Sequence, residues 1–415
     1  MDCRFSWAAT EGEFALATAV TRHVRRPATF VDCGGGRTCG AGWRALRCVV
    51  PPYNGTFGAD ATATAFVEVT INGQHFSYSE TPYTYYDDGA WRLEAVAPRG
   101  GPFGGDTAVV LQASRAIASL GDVECLFGPL NAAVNATIDA YGGVRCLSPP
   151  DWRAGTTAMG AVGLRRQVEL ELRLNGQDTL DRSLPQPIGF NYYEVDAPAG
   201  VFVDALSPIG GPAHGGSLVR VNGSFLADYG GLHCTFGAQP AVAATWVDAA
   251  TLLCEAPPLP PSERNNSRGY GFDAVAVEVT INGQLWASTA AGAAAFTYAW
   301  DDAVRVSSTY PAGAPRGGGT PITLRGAGFR DLGGARPGVF CKFGGADDLV
   351  PAEGSGEDEI VCTSPPLPDV ENGAACAAAV TIEVTINGDN PAGGAAMYAG
   401  ADGARFQIGD VEGVA

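Results

Sequence analysis

The sequence predicts an all-β protein of tandem β-sandwich domains, four in number, and three observations carry that prediction. An alternating apolar strand runs into an Asn-Gly pair four times, always in the same phase. The copies are Val67-Glu-Val69-Thr-Ile71-Asn72-Gly73, Val168-Glu-Leu170-Glu-Leu172-Arg-Leu174-Asn175-Gly176, Val275-Ala-Val277-Glu-Val279-Thr-Ile281-Asn282-Gly283 and Val380-Thr-Ile382-Glu-Val384-Thr-Ile386-Asn387-Gly388. The Asn-Gly pairs recur about every 105 residues, too long for a solenoid unit and right for a small sandwich. Two cysteine motifs keep step with the strand in every copy.

Each element has a physical reason. Strict alternation places the Val, Ile and Leu set on one buried face and Glu, Thr and Arg on the solvated one. Asn-Gly supplies the positive φ angles of a tight type I′ hairpin. A Cys followed by an aromatic appears at Cys3-Arg-Phe5, Cys125-Leu-Phe127, Cys234-Thr-Phe236 and Cys341-Lys-Phe343. A second Cys, three residues before Pro-Pro, follows at Cys48, Cys146, Cys254 and Cys362. An aromatic-x-aromatic close comes after the hairpin: Tyr83-Thr-Tyr85, Phe190-Asn-Tyr192 and Phe296-Thr-Tyr298. Three copies open on a Pro/Gly-rich turn (Pro98 to Gly105, Pro208 to Gly216, Pro311 to Gly319), and two have a Gly-Phe corner at Gly223-Ser-Phe225 and Gly328-Phe329. Helical periodicity is sparse, and only Glu11 to Arg26 reads as a short helix, inside an insertion peculiar to the first copy.

This order resembles the IPT/TIG module, the immunoglobulin-like domain of plexins, Met-type receptors and Rel-type transcription factors. The shared pattern is Pro-x-x-Gly-Pro-x-x-Gly-Gly, a Gly-Phe corner, Cys-x-Phe-Gly, Cys-x-x-Pro-Pro, an alternating strand with Asn-Gly, and Phe-x-Tyr. The resemblance implies immunoglobulin-like, E-set sandwiches at residues 1–88, 89–197, 198–303 and 304–415. The third copy carries every element. The fourth ends in Phe406-Gln-Ile408 instead of Phe-x-Tyr, and the second has Leu111-Gln-Ala-Ser114 at the corner.

The cysteines suggest a compartment. Cys125 with Cys146, Cys234 with Cys254 and Cys341 with Cys362 recur in register, which reads as one disulfide per repeat. Closing such a loop stabilises by roughly 3 kcal/mol in the chain-entropy model. Cys3 pairs with Cys48 by the same logic, leaving Cys33 and Cys39 to close a small ring. Their spacing is not Cys-x-x-Cys and no His is placed to complete a zinc site. Cys376 is left over, either buried and free or bonded to a segment or partner outside this chain. Disulfides imply an oxidising compartment. Four glycosylation sequons, at Asn54, Asn135, Asn222 and Asn265, point the same way; Asn265 lies in a polar loop, whereas Asn222 sits at the Gly-Phe corner. No signal peptide precedes Cys3, no apolar stretch reaches bilayer length, and Met1 enters the first repeat in its middle. The expectation is a piece of a larger secreted or membrane-anchored protein, with a first repeat lacking its opening turn and first two strands.

Formal net charge is −18, which argues against nucleic acid as a partner because phosphate binding needs a basic footprint. Arg22, Arg25, Arg26, Arg165 and Arg166 form the basic clusters and read as solvated faces. No catalytic constellation stands out: the histidines are His23, His75, His214 and His233, with no His-Glu-x-x-His and no Gly-x-Ser-x-Gly elbow. Gly34 to Gly36 and Gly317 to Gly319 lack the Gly-Lys-Ser/Thr of a phosphate loop. The acidic pairs Asp87-Asp88 and Asp301-Asp302 fall at matching junctions, where two carboxylates are too few for a calcium site and an exposed linker is the better account. Neither cofactor, metal nor enzymatic activity is expected. Four sandwiches with short linkers would make a stalk on the order of 130 Å at about 3.3 Å per strand residue. The reading is an extracellular recognition, adhesion or stalk region with a protein or glycan ligand. An accessory array of a polysaccharide-active enzyme is the alternative, which exposed Trp152, Trp246 or Trp286 would favour. A DNA-binding TIG protein is opposed by charge, disulfides and sequons together.

Overall fold

The computed structural model describes residues 1–11, 18–31, 45–114, 121–128, 132–151, 165–177, 179, 188–195, 200–264, 271–287, 294–300, 303–333, 338–344, 349–354, 356–366, 378–387 and 398–409. Among them the chain is all-β, with strands joined by turns and short 3-10 turns at Asp88–Ala90 and Pro261–Glu263. It folds as two compact units, each assembled from several segments. One comprises Met1–Val96, Ala108–Leu147 and Glu169–Gly189; the other comprises Ala97–Thr107, Ser148–Val168 and Phe190–Ala415.

The first unit opens on a five-stranded sheet in the order Ala45–Cys48, Thr18–Val31, Asp2–Glu11, Thr62–Thr70, Thr81–Tyr86. Where a helix is expected over Glu11 to Arg26, the described residues are strand instead. Thr18–Val31 pairs with Asp2–Glu11 from Glu11↔Thr18 to Asp2↔Pro27. Val24 and Thr29 are β-branched and favour a pleated surface, and a long antiparallel ladder outweighs a weak helical period. Cys3, Phe5, Trp7 and Ala65 are buried on one face, with Tyr53 and Tyr85 packed against them. Trp7 lies 5.5 Å from Tyr53, which stacks on Tyr85 at 4.9 Å. Cys3 and Cys48 are bonded, Cα to Cα 6.3 Å. Further along this unit Ala108–Ala113 pairs with Val144–Leu147, Glu124–Phe127 pairs with residues 170–173, and Cys125 is bonded to Cys146.

In the second unit the third repeat forms a sandwich. Phe202–Ser207, Leu218–Ser224 and Thr251–Glu255 make one layer, and His233–Phe236, Phe272–Thr280, Ala295–Ala299 and Gly210–Pro212 the other. Val242–Asp248 pairs with His233–Phe236 at its start and with Thr251–Glu255 further on, so it passes from one layer to the other. The Cys234–Cys254 disulfide links the layers through a core of Val219, Val221, Phe236, Leu252, Val277, Val279, Phe296 and Tyr298, all fully buried. Each such side chain stabilises by roughly 1.5–3 kcal/mol relative to exposure. The fourth repeat follows the same plan. Arg305–Tyr310, Pro321–Ala327 and Glu359–Thr363 lie on one side; Gly313–Pro315, Tyr398–Gly409, Ala378–Thr385, Phe340–Phe343 and Val350–Pro351 lie on the other. Cys341–Cys362 joins them.

The aromatic-x-aromatic close has a defined task. Its second ring is fully buried in the second and third repeats and half-buried in the first, while the hydroxyl donates to the first proline carbonyl of Cys-x-x-Pro-Pro: Tyr85 to Pro51 at 3.0 Å, Tyr192 to Pro149 at 2.7 Å and Tyr298 to Pro257 at 2.8 Å. Burial, then the neighbouring Tyr83, pushes the Tyr85 phenol up to about 12, and burial raises Tyr192 and Tyr298 as well. The fourth repeat carries Ile408 at this position of the motif.

Candidate functional site: the joints between repeats

The Asn-Gly turns differ from the type I′ expectation. Gly73, Gly176 and Gly283 take φ of 77°, 74° and 74°, but the asparagines before them do not have positive φ. The asparagine instead works through its side chain. In the third repeat Asn282 Oδ1 accepts from the Gln284 and Leu285 amides, both at 3.0 Å, while the Gly283 amide donates to Thr280 Oγ1 at 3.0 Å. The first repeat has the same arrangement around Asn72 and Thr70. An Asx turn of this kind uses the side-chain oxygen and lets the NH2 point elsewhere.

At Asn282 it points into the opening turn of the second repeat, donating to the Gly100 carbonyl at 3.3 Å. That turn, Pro98 to Pro102, is held by parallel pairing of Gly100–Pro102 with Asn191–Tyr193. Its Arg99 amide donates to the Tyr229 carbonyl at 2.5 Å, and the Tyr229 amide donates to the Ile281 carbonyl at 3.0 Å. Tyr229 therefore stands between the hairpin of its own repeat and the turn of the one before. Its ring stacks on Tyr193, centroids 5.5 Å apart and 15° from parallel. Gly100 has no room for a side chain, because a Cβ there would lie 2.7 Å from the Tyr229 ring. Arg165 adds a bond from its guanidinium to the Phe225 carbonyl at 2.5 Å.

The same joint recurs between the third and fourth repeats. The Ile209 amide donates to the Leu332 carbonyl at 2.7 Å, and the Leu332 amide to the Ile386 carbonyl at 2.7 Å. A Cβ on Gly210 would lie 2.7 Å from a Leu332 methyl carbon. Asp228 accepts from the Gly230 amide and Asp331 from the Gly333 amide, both at 2.8 Å, bending the chain so that Tyr229 or Leu332 faces the turn. Ala299 and Ala303, at the end of the third repeat, belong to the fourth repeat's core, and Phe272 packs against it under the Arg330 guanidinium. The junction is thus covered by apolar contact and closed by backbone bonds.

The other residues singled out from the sequence fall elsewhere. The structure closes Cys3–Cys48, Cys125–Cys146, Cys234–Cys254 and Cys341–Cys362; Cys33, Cys39 and Cys376 lie outside the described residues. Asn54 and Asn135 are exposed, Asn222 is half-buried in Leu218–Ser224, and Asn265 lies outside the described residues. Asp87 accepts from the Gly89 amide and caps the 3-10 turn, while Asp301 and Asp302 are not described. Ser6 and His23 are hydrogen-bonded at 2.7 Å on the first sheet, a pairing created by strand register that the sequence does not announce. His75 and His214 are exposed and His233 is half-buried. Trp246 is 48% exposed, with its indole N–H donating to the Leu226 carbonyl, and Trp286 is 36% exposed; Trp152 is not described. Among the described residues no three His, Cys, Asp or Glu side chains gather as metal ligands, and no helix is long and apolar enough to cross a membrane.

The joint residues Tyr229 and Leu332 escaped sequence reasoning because one is aromatic and the other aliphatic. The signal that marks them is position: both precede Gly-Gly ahead of the Cys-x-Phe strand.

A family model, the IPT/TIG domain, matches residues 202–298 and again 305–399. No curated protein sequence matches the chain. Among solved structures it is similar to the plexin A4 full extracellular region, at 12% identity over 97% of this chain and 34% of that one, TM-score 0.39. It is also similar to the ICAM-5 D1–D4 ectodomain fragment (12% identity, 97% and 99% covered, TM-score 0.21). A third is Bacteroides ovatus SGBP-B in complex with a mixed-linkage heptasaccharide (10% identity, 76% and 66% covered, TM-score 0.18). The chain spans about a third of the length of the plexin A4 chain.

Proposed function

Residues 202–298 and 305–399 are IPT/TIG domains in tandem, and from that premise we propose that the chain is a non-catalytic extracellular recognition or stalk region. In this reading it is an array of four such domains, at about 1–88, 89–197, 198–303 and 304–415. The observation that carries it is the joint. Two successive junctions use the same backbone bonds and the same glycine-over-side-chain contact, which suits a protein that holds its domains at fixed angles. A shared core at Ala299 and Ala303 resists the swing that domain pairs otherwise show.

The disulfides support an oxidising location; among the described residues the exposed Asn54 and Asn135 are the sequons best placed for glycans, beside Asn265, whose polar loop in the sequence favours it. The partner in this reading is a protein or glycan at the cell surface, met by the outward faces of the sandwiches. Non-reducing peptide mapping of secreted material tests the location. Bonded Cys234–Cys254 and Cys341–Cys362 are expected, and free thiols at these positions would remove the extracellular reading.

A second reading, an accessory array of an extracellular polysaccharide-active enzyme, is favoured by the exposed Trp286 and Trp246. An array of structural polysaccharides, without cell-surface glycans, separates the two: retention that Trp286→Ala abolishes would favour the accessory role, and no retention the first reading. Nucleic-acid binding is opposed by the net charge of −18.

A further inference from the structure

Three opening turns occur in the chain, and in two of them the neighbouring repeat fills the same place. Pro98 and Gly100 are buried, as are Pro208 and Gly210. At the corresponding positions of the fourth repeat Pro311 and Gly313 are only half-buried, Ala312 is exposed, and Tyr310 is 79% exposed. The turn is nevertheless built like the others, with Gly313–Pro315 paired in parallel to Gln407–Gly409 as Gly210–Pro212 is paired to Thr297–Ala299. Among the described residues it is formed but uncovered.

We propose that the Tyr310–Pro315 turn is a docking edge for the hairpin pole of a further IPT/TIG-type repeat. The two filled joints define what the occupant must offer. A backbone carbonyl accepts from the second turn residue, as Tyr229 does from Arg99 and Leu332 from Ile209. A large apolar side chain immediately before Gly-Gly covers the turn glycine, as Tyr229 and Leu332 do over Gly100 and Gly210. An asparagine of an Asn-Gly pair donates to the glycine carbonyl, as Asn282 does to Gly100. Ala312 and Gly313 present the matching amide and carbonyl. The contact is small, so linkage in one polypeptide supplies the high effective concentration that makes it persist. This inference rests on the joint described above, and one measurement separates the failure of each.

The test extends the full chain. A second copy of residues 299–409 is joined after Ile408, keeping the spacing that separates the third and fourth repeats, and amide hydrogen exchange is followed at Ile209 and Ala312. Protection of Ala312 should rise roughly tenfold or more over the unextended chain, and Leu332→Ala in the added copy should return it toward the original rate. Unchanged exchange at Ala312 beside a protected Ile209 overturns the docking edge and leaves the joint intact. Fast exchange at both overturns the joint as well. A second measurement does not depend on the added copy folding: the Tyr310→Cys variant of the 415-residue chain is oxidised at increasing protein concentration. It should stay monomeric, whereas dimers disulfide-linked through the introduced thiol would make a second copy of the chain the occupant and overturn the proposal.

Discussion

The strand Thr62–Thr70 and its counterpart Phe272–Thr280 carry nearly the same alternation and end in the same Ile-Asn-Gly, yet they live in different surroundings. Val277 and Val279 are fully buried and Ile281 is 2% exposed; Val67 and Val69 are less completely covered and Ile71 is 77% exposed. The pairing strand is equivalent in both, Cys3↔Val69 and Phe5↔Val67 against Cys234↔Val279 and Phe236↔Val277. Alternation therefore decides which face is apolar, and a second layer decides whether that face is buried. In the third repeat Phe202–Ser207 and Leu218–Ser224 belong to that layer, with Tyr229 bonded over Ile281. The described residues of the first repeat form one sheet with the Tyr53 loop against it.

This difference sets the size of mutational effects. Ile281→Ala should cost about 2–5 kcal/mol, as large-to-small changes in filled cores do. Ile71→Ala should stay within roughly 0.5 kcal/mol, as surface changes do. Chemical denaturation followed by a probe in each repeat measures both, and equal losses would break the comparison. Removing the Cys234–Cys254 disulfide by paired Cys→Ala changes should lower stability by roughly 3 kcal/mol in the loop-entropy model. The Cys3–Cys48 loop spans 45 residues against 20, so its loss should cost about 0.7 kcal/mol more in the same model. That order runs opposite to the order of core burial and sharpens the comparison.

Smaller effects come from the buried phenols. Tyr298→Phe removes one hydrogen bond to Pro257 and should cost roughly 1 kcal/mol, read as a lowered midpoint for the third repeat alone. The pH dependence follows from the raised phenol pKa. The unfolded chain ionises near the ordinary value of 10.0, while folded Tyr85 holds its proton to about 12, so above pH 10 the unfolded state binds fewer protons. The stabilising contribution is complete below pH 10 and is lost as pH rises toward 12. Tyr298 shifts in the same direction, so alkaline unfolding should lose part of its steepness in both Tyr85→Phe and Tyr298→Phe. A profile unchanged by either substitution would contradict the burial assigned to these rings.

Much of this was legible from residues whose spacing repeats. The alternating strands, the Cys-x-Phe and Cys-x-x-Pro-Pro positions and the Pro/Gly turns all have chemistry that constrains one local shape. Less legible was what those shapes touch. The Asn-Gly pairs read as type I′ turns, but a threonine two residues before the asparagine accepts the glycine amide and the asparagine caps with its side chain. That lets Asn282 reach Gly100, 182 residues away in sequence. Glu11 to Arg26 reads as helix because the partner strand of Thr18–Val31 is not visible in its own residues. Tyr229 and Leu332 share a place in the fold and no shared side-chain chemistry, so no motif announces the joint.

The joint is the central claim, and the distance between the third and fourth repeats tests it most directly. Spin labels at exposed Ala243 and Pro351, placed in the full chain, report that distance by pulsed electron resonance. A single narrow distribution is expected, broadening when Gly210→Val drives a side chain into Leu332. A distribution already broad in the unsubstituted protein, and unmoved by Gly210→Val, would contradict the account.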